Sequence, residues 1–368
     1  ATLMMGRPIP NINGLVKPIF NQFLLALSLG FGQFFVGGLV VKYFLPPSID
    51  ANPLMGCLIE VGFEGGHGAA SIIGESFNRL GFSNGLDLGL AMATMGLLSS
   101  SILGSIFIFI GRTLGLSDTE DILEKKDNIK SQNNIRIFAD LRILIINLGF
   151  SGLAIFFGVI LLKFLKYFSS SFGDFSKEIV YSLPVFPFIL IGSLLIRYIL
   201  EKTKNTEFIS NILQREIGIL STDLLIFTAM ASLDIAVVFD NWILILFFTI
   251  FGLFWNLICI AYFAYFIFDD YWFEKSLIEF GNSTGVVASG LLLLRLADPK
   301  NISKTLPIFT SKQLFAQLIL SGGLFTVLAP LMISKIGLDY WTEICAVITF
   351  ILLLIALIFN KIELNKFR

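Results

Sequence analysis

Phe63-Glu-Gly-Gly-His-Gly68-Ala-Ala-Ser71 and Phe280-Gly-Asn-Ser-Thr-Gly285-Val-Val-Ala288 share one spacing from phenylalanine to glycine, followed in each case by small or branched apolar residues. Each lies near the middle of an apolar, small-residue-rich stretch, Pro53 to Leu80 and Asp270 to Ala297, interrupted by a polar or glycine cluster. Irregular backbone at membrane depth is tolerated only where protein or a wet cavity satisfies its amides. Both stretches are therefore expected to be re-entrant hairpins. Each is preceded by one long apolar run and followed by another, and an odd number of crossings separates the two pre-hairpin runs. The two units are expected to face opposite ways.

The surroundings are those of a chain dissolved in lipid. Of 368 residues, 55% are hydrophobic and 14% charged, with a mean hydropathy of +0.84; soluble domains carry about one quarter charged residues. A hydrocarbon core takes roughly 20 apolar residues of helix to cross. Runs of about that length without Asp, Glu, Lys or Arg are Phe23 to Val41, Leu88 to Gly111, Ile143 to Leu162, Ile179 to Ile196, Asn241 to Phe268, Leu314 to Ser334 and Ile344 to Asn360. Ile217 to Phe239 is an eighth span that contains Asp223 and Asp234. The fold class expected is an all-α integral membrane protein, an inverted-repeat secondary transporter with about eight transmembrane helices and two re-entrant hairpins.

The domains expected are a partial first repeat over 1–111, a polar cytoplasmic linker over 112–140, a second repeat over 141–336 and a terminal helix over 337–368. Three spans precede the pre-hairpin helix of the second repeat, whereas only a short polar start precedes Phe23. The first repeat is thus expected to lack three helices, as in an N-terminally truncated product. Lys and Arg favour the cytoplasm. Lys125, Lys126, Lys130 and Arg136 place the linker inside, and Arg197, Lys202, Lys204 and Arg215 place a second loop there, although Lys163, Lys166 and Lys177 lie on the opposite side.

Net charge is −1 with a pI near 6.0, so no field gathers nucleic acid. Cys57, Cys259 and Cys345 have no metal-ligand spacing and read as buried apolar residues. One histidine among 368 residues leaves little acid-base chemistry. Asp223 and Asp234 stand eleven positions apart, about 16 Å along one helix, too far to share a proton as an aspartyl pair. An enzyme is not expected, nor any cofactor.

A broken helix exposes unpaired N–H groups at one new end and carbonyls at the other, which suits a zwitterion. The amides around Gly65, Gly66 and Gly68, and around Ser283, Thr284 and Gly285, could hold a carboxylate; the competing reading is that these glycines only let helices pack closely. Ser71 and Asn282 flank the two clusters and complete the substrate-binding set. His67 reads as a polar contact or a satisfied core residue, and Glu60, Glu64 and Glu75 around it are expected at the water interface. An acid near the bilayer centre costs about 3 kcal/mol, so Asp223, beside Thr222, is expected to touch sodium or the substrate amino group unless it makes a structural hydrogen bond. The ion-binding set is Thr222, Asp223, Ser283 and Thr284, sodium being the only ion expected. Arg295 and Asp298, three apart, read as an ion pair.

Gly65-Gly-His-Gly68-Ala-Ala-Ser71, followed by Gly81-Phe82 and a small-residue helix, resembles the Gly-Gly-His-Gly hairpin of the sodium/glutamate symporter family. Ser283-Thr-Gly-Val-Val-Ala-Ser-Gly290, followed by Leu291-Leu-Leu-Leu-Arg295-Leu-Ala-Asp-Pro299, resembles the second-half hairpin of a branch of that family. The resemblance implies a two-repeat, multi-pass carrier in a plasma or bacterial inner membrane, importing glutamate with sodium by moving a core domain against a scaffold. Gly65, Gly66, His67, Gly68, Ser283, Thr284 and Gly285 become the site by that likeness. Glu64 departs from the family pattern, which has a small or hydroxyl residue there. Partners expected are a glutamate-like solute, sodium and the lipid bilayer; the sequence leaves a homodimer open, as it does another amino acid or carboxylate as cargo, or a non-transporting relative.

Overall fold

The computed structural model describes residues 15–46, 51–116, 141–169, 180–181, 183 and 185–366, and among them every regular element is helical. Seven helices are long and apolar enough to cross a membrane: Val16–Phe44, Gly85–Thr113, Ile143–Ser169, Trp242–Ile267, Trp272–Ala297, Thr305–Ile336 and Leu338–Phe359. Large apolar side chains such as Ile102, Phe109, Phe156, Phe254 and Phe350 are exposed along them, the surface expected of a protein whose solvent is hydrocarbon. The chain is an integral, multi-pass membrane protein.

Two of the eight runs expected to span are not among these seven helices. The run from Ile179 yields a 17-residue helix, Phe186–Lys202, and the run from Ile217 ends its helix at Ala231, with Ile235–Asp240 a separate turn. Asp234 explains the stop: its carboxylate accepts from the Ala236 amide at 2.9 Å, capping the second piece. The linker residues from 117 to 140 lie outside the described residues.

Contacts divide the chain into two compact units. One comprises Ala1–Pro10 and Asp118–Leu224; in its described part α5 (Leu141–Ser169) packs on α6 (Phe186–Lys202), and α7 (Asn211–Ala231) begins. Gln214 ties it together, donating to the Asn147 carbonyl at 2.9 Å and accepting from Ser151 Oγ at 3.2 Å. The other unit, Asn11–Ser117 and Leu225–Arg368, holds both glycine-broken stretches.

In that second unit α1 (Val16–Leu39) is the central helix: 83% of its most apolar window is buried inside protein, which explains polar Gln22, Ser28 and Gln33 on a membrane helix. It continues through a π-helical turn, Val40–Phe44, before an extended Leu45. A 3₁₀ turn, Pro53–Cys57, leads into α2 (Leu58–Phe63), then α3 (Gly66–Arg79) and the long α4 (Gly85–Thr113). After α8 (Ile235–Asp240), the pattern recurs. Helix α9 (Trp242–Ile258) runs through a second π-helical turn, Cys259–Phe263, into α10 (Ala264–Ile267) and an extended Phe268, then α11 (Trp272–Ala297). Helices α12 (Thr305–Ile319), α13 (Leu324–Ile336) and α14 (Leu338–Lys366) complete it, α14 packing along α1. The run Leu314 to Ser334 lies within the span Thr305–Ile336, which contains a break: Leu320 is extended, and Ser321 and Gly322 take left-handed φ of 58° and 84°.

Candidate functional site

Helix α11 is continuous only by hydrogen-bond pattern. Gly285 (φ −140°, ψ 37°) and Val286 (φ 62°, ψ 174°) leave the helix, and the chain folds back on itself. A Cβ built on Gly281 would lie 2.5 Å from Gly290 Cα, whereas residues nine apart in a straight helix are separated by about 13 Å. The first stretch folds back too. A Cβ on Gly89 of α4 would meet Ala70 at 3.2 Å and Val61 at 3.9 Å, so these two residues, also nine apart, flank one point. The reversal falls at Glu64–Gly66, where Gly66 has φ +64°. Glycine tolerates that conformation without the clash a side chain brings.

Helix α4 is the common platform, and its small residues mark the route of each hairpin. From one end, Gly85 faces Phe77, Gly62 faces Met92 and Ala93, and Gly96 faces Phe63. From the other end, Gly111 faces Phe273, Gly104 faces Leu293 and Gly285 faces Ser100. The hairpins thus approach the middle of α4 from opposite ends. Their tips touch there: a Cβ on Gly66 would collide with Val286 Cγ1, and one on Gly96 with the Thr284 carbonyl oxygen.

Two buried amides hold the second tip. Gln33 of α1 donates to the Ser283 carbonyl at 2.6 Å and to Asn256 Oδ1 at 3.1 Å; Asn256 of α9 donates to Thr284 Oγ1 at 2.9 Å and to the Ser283 carbonyl at 3.3 Å. All four residues are fully buried. The carbonyl freed by the break is therefore satisfied by side chains from the two pre-hairpin helices. At the first tip α3 begins with no side-chain cap, leaving its first-turn amides at Gly66, His67 and Gly68 to other acceptors. A Cβ on Gly68 would meet nothing within 4 Å, so that position borders open space. His67 Nε2 lies 3.1 Å from Thr94 Oγ1, and the His67 carbonyl accepts from Ser71 Oγ at 2.8 Å. Ser71 also lines a cleft of about 280 Å³ with Leu86, Leu225, Thr228, Ala229 and Ser232.

The profile of the sodium/glutamate symporter family matches residues 17–271, well over half of the chain. The chain belongs to the sodium/glutamate symporter family. No match was found among curated proteins or among solved structures. The family match takes in α1, the first hairpin and α9, and ends at Tyr271, just before helix α11 of the second hairpin starts; the pairing of the two tips is seen in the structure alone.

For this symporter-family chain the structure gathers Gly65, Gly66, His67, Gly68, Asn282, Ser283, Thr284 and Gly285 into one compact unit, with Ser71 at its edge. Asn282 meets Gln313 of α12 at 3.4 Å. Thr222 and Asp223 are not part of that unit. Both are exposed on α7 and assigned to the other unit, and Thr222 Oγ1 donates to the Gly218 carbonyl at 2.9 Å. Asp223 is not the buried acid that its place in an apolar run suggested. Arg295 and Asp298 do not pair: Arg295 is exposed, and Asp298 accepts from the Ile302 and Ser303 amides at 2.8 and 3.0 Å.

The acids expected at the water interface divide. Glu75 is exposed and paired with Arg79, but Glu60 and Glu64 are 0% and 3% exposed. Glu60 Oε1 accepts from Thr326 Oγ1 at 2.7 Å and the Ser321 amide at 3.1 Å; Glu64 Oε1 accepts from Ser321 Oγ at 2.9 Å. A third buried acid, Glu279 on the first arm of α11, has Lys312 Nζ at 2.8 and 2.9 Å from its two oxygens. Sequence reasoning missed Gln33, Asn256, Glu279, Lys312 and the Ser321 break. Adjacent glycines at 322 and 323 were a readable signal for the last.

Proposed function

We propose that the two hairpins are re-entrant, entering an inverted-repeat core from opposite faces of the bilayer, and that their tips form the cargo site of a sodium-coupled importer of glutamate or a related small anionic or zwitterionic solute. The observation that carries this reading is the contact of Gly66 with Val286 against the middle of α4. Half-helix ends meeting at mid-membrane present amide and carbonyl poles to a solute without any charged side chain. The uncapped start of α3 suits a carboxylate. Glu64 does not oppose an anion in this reading, because Ser321 engages its carboxylate and its other oxygen lies toward Gly30. Transport would proceed by alternating access, with the hairpin core moving against a scaffold in an elevator-like step.

Labelled glutamate uptake into proteoliposomes tests it. An inward sodium gradient should drive accumulation, and collapsing the gradient should stop it. Equal uptake without sodium would remove the coupling, while block by an unlabelled solute other than glutamate would reassign the cargo.

A further inference from the structure

Three carboxylates and one ammonium are buried around the first hairpin and the break between α12 and α13. Lys312 faces both oxygens of Glu279, so its charge is matched there. Glu60 and Glu64 receive only neutral donors, and all of them fall on Oε1 of each. Oε2 of Glu60 and Oε2 of Glu64 are buried and make no hydrogen bond. A carboxylate has about four acceptor sites, and an uncompensated buried charge costs several kcal/mol. The two acids lie close, since the amide and the hydroxyl of one residue, Ser321, reach both. Like charges at that separation do not both persist without a positive partner.

We propose that Glu60 and Glu64, with the hydroxyl oxygens of Ser321 and Thr326, bind one monovalent cation, sodium or a proton, at a site that adjoins the turn of the first hairpin on the side of the α12–α13 break. Oxygen donors are what a hard cation needs. Each hydroxyl directs its hydrogen at a carboxylate; Ser321 Oγ keeps its lone pairs, and Thr326 Oγ1, which also accepts from the Gly322 amide at 3.2 Å, keeps one. Glu60 and Glu64 belong to the first hairpin, whereas Ser321 and Thr326 flank the break that separates α12 from α13. A cation held between them fastens the hairpin to the broken helix, and its departure leaves two carboxylates in want of a partner. This inference rests on the sodium-coupled reading and adds the place where the coupling ion sits. The other titratable groups facing the pair are Cys57 and Cys345 toward Glu60, and Lys312 and Glu279 toward Glu64.

The test uses the full chain in detergent, with sodium chloride or choline chloride at equal ionic strength. Sodium should raise the unfolding midpoint of the unmodified protein and of the surface control Glu75→Gln. In Glu60→Gln and Glu64→Gln the sodium concentration for half-maximal stabilisation should rise about tenfold or more, the loss of roughly one charged contact. Infrared difference spectra of the unmodified protein, sodium minus choline, should show a carboxylate stretch that moves. If the occupant is a proton, sodium has no effect, and a protonated-carboxyl band titrates with pH and disappears in either Gln variant. Should both variants fail to fold, the spectra of the unmodified protein decide alone. Equal sodium stabilisation in all four proteins together with a titrating band that persists in both Gln variants, or no carboxyl band that responds to sodium or pH, overturns the site. Uptake is measured separately. Sodium binding intact without glutamate uptake counts against the transport reading alone, and sodium-driven uptake unchanged in both Gln variants counts against this site alone.

Discussion

The two hairpins do the same thing by different means. The first turns at Gly66, where φ is +64° and the residue is one that adopts such an angle freely. The second turns at Val286, where φ is +62° and ψ 174° on a β-branched side chain, a region nearly exclusive to glycine that costs other residues about 1–3 kcal/mol. Glycines at 65, 66 and 68 write the first reversal into the local chain. The second is imposed from outside, by Gln33 and Asn256 gripping Ser283 and Thr284 and by Gly66 leaving room for the Val286 side chain. Their acids differ as well: Glu279 of the second hairpin has a cation of its own in Lys312, while Glu60 and Glu64 of the first have hydroxyls and one amide. A locally encoded bend and a tertiary one can thus meet at one point, and a change at either tip is felt through the other.

The largest effect should come from the acids. Lys312→Met strands Glu279 in the core and should lower stability by about 3–5 kcal/mol, read as a fall in the heat-unfolding midpoint in detergent. Glu64→Gln in sodium-free buffer should change it by less than about 1 kcal/mol, because the amide keeps the Ser321 contact without a charge. Similar losses from both would erase the contrast between the two hairpins.

The bends come next. Gly66→Ala meets a left-handed backbone and the Val286 methyl together, and should cost about 2–4 kcal/mol from strain and overpacking. Val286→Gly removes strain and some apolar contact at once, so it should stay within about 1 kcal/mol of the parent. Chemical denaturation of the pair would expose a symmetric cost, which the present account does not allow.

Asn256→Leu should cost about 1–3 kcal/mol by leaving Thr284 Oγ1 and the Ser283 carbonyl short of donors. Gln33→Leu should cost the same, and the double variant less than the sum, since both side chains serve one carbonyl. The smallest effect belongs to Asp223→Asn, within about 0.5 kcal/mol for an exposed residue. A loss of sodium dependence in Asp223→Asn uptake would restore to that acid the role its sequence context suggested.

Much was written in the chain itself. Long charge-free runs and a mean hydropathy of +0.84 settle that lipid is the solvent, because hydrocarbon admits only helices or closed barrels. Gly65, Gly66 and Gly68 announce their own break, since a left-handed turn is a property of one or two residues. The π-helical turns before each hairpin, Val40–Phe44 and Cys259–Phe263, had no such local mark. Tertiary structure alone decided that the tips meet on α4, that Val286 rather than a glycine takes the second bend, and which acids are buried. Asp223 and Glu60 look alike in sequence, each an acid within a mostly apolar stretch, yet one is exposed and the other fully enclosed. Burial depends on which helices pack alongside, and the partners that make it bearable, Thr326 for Glu60 and Lys312 for Glu279, come from far along the chain.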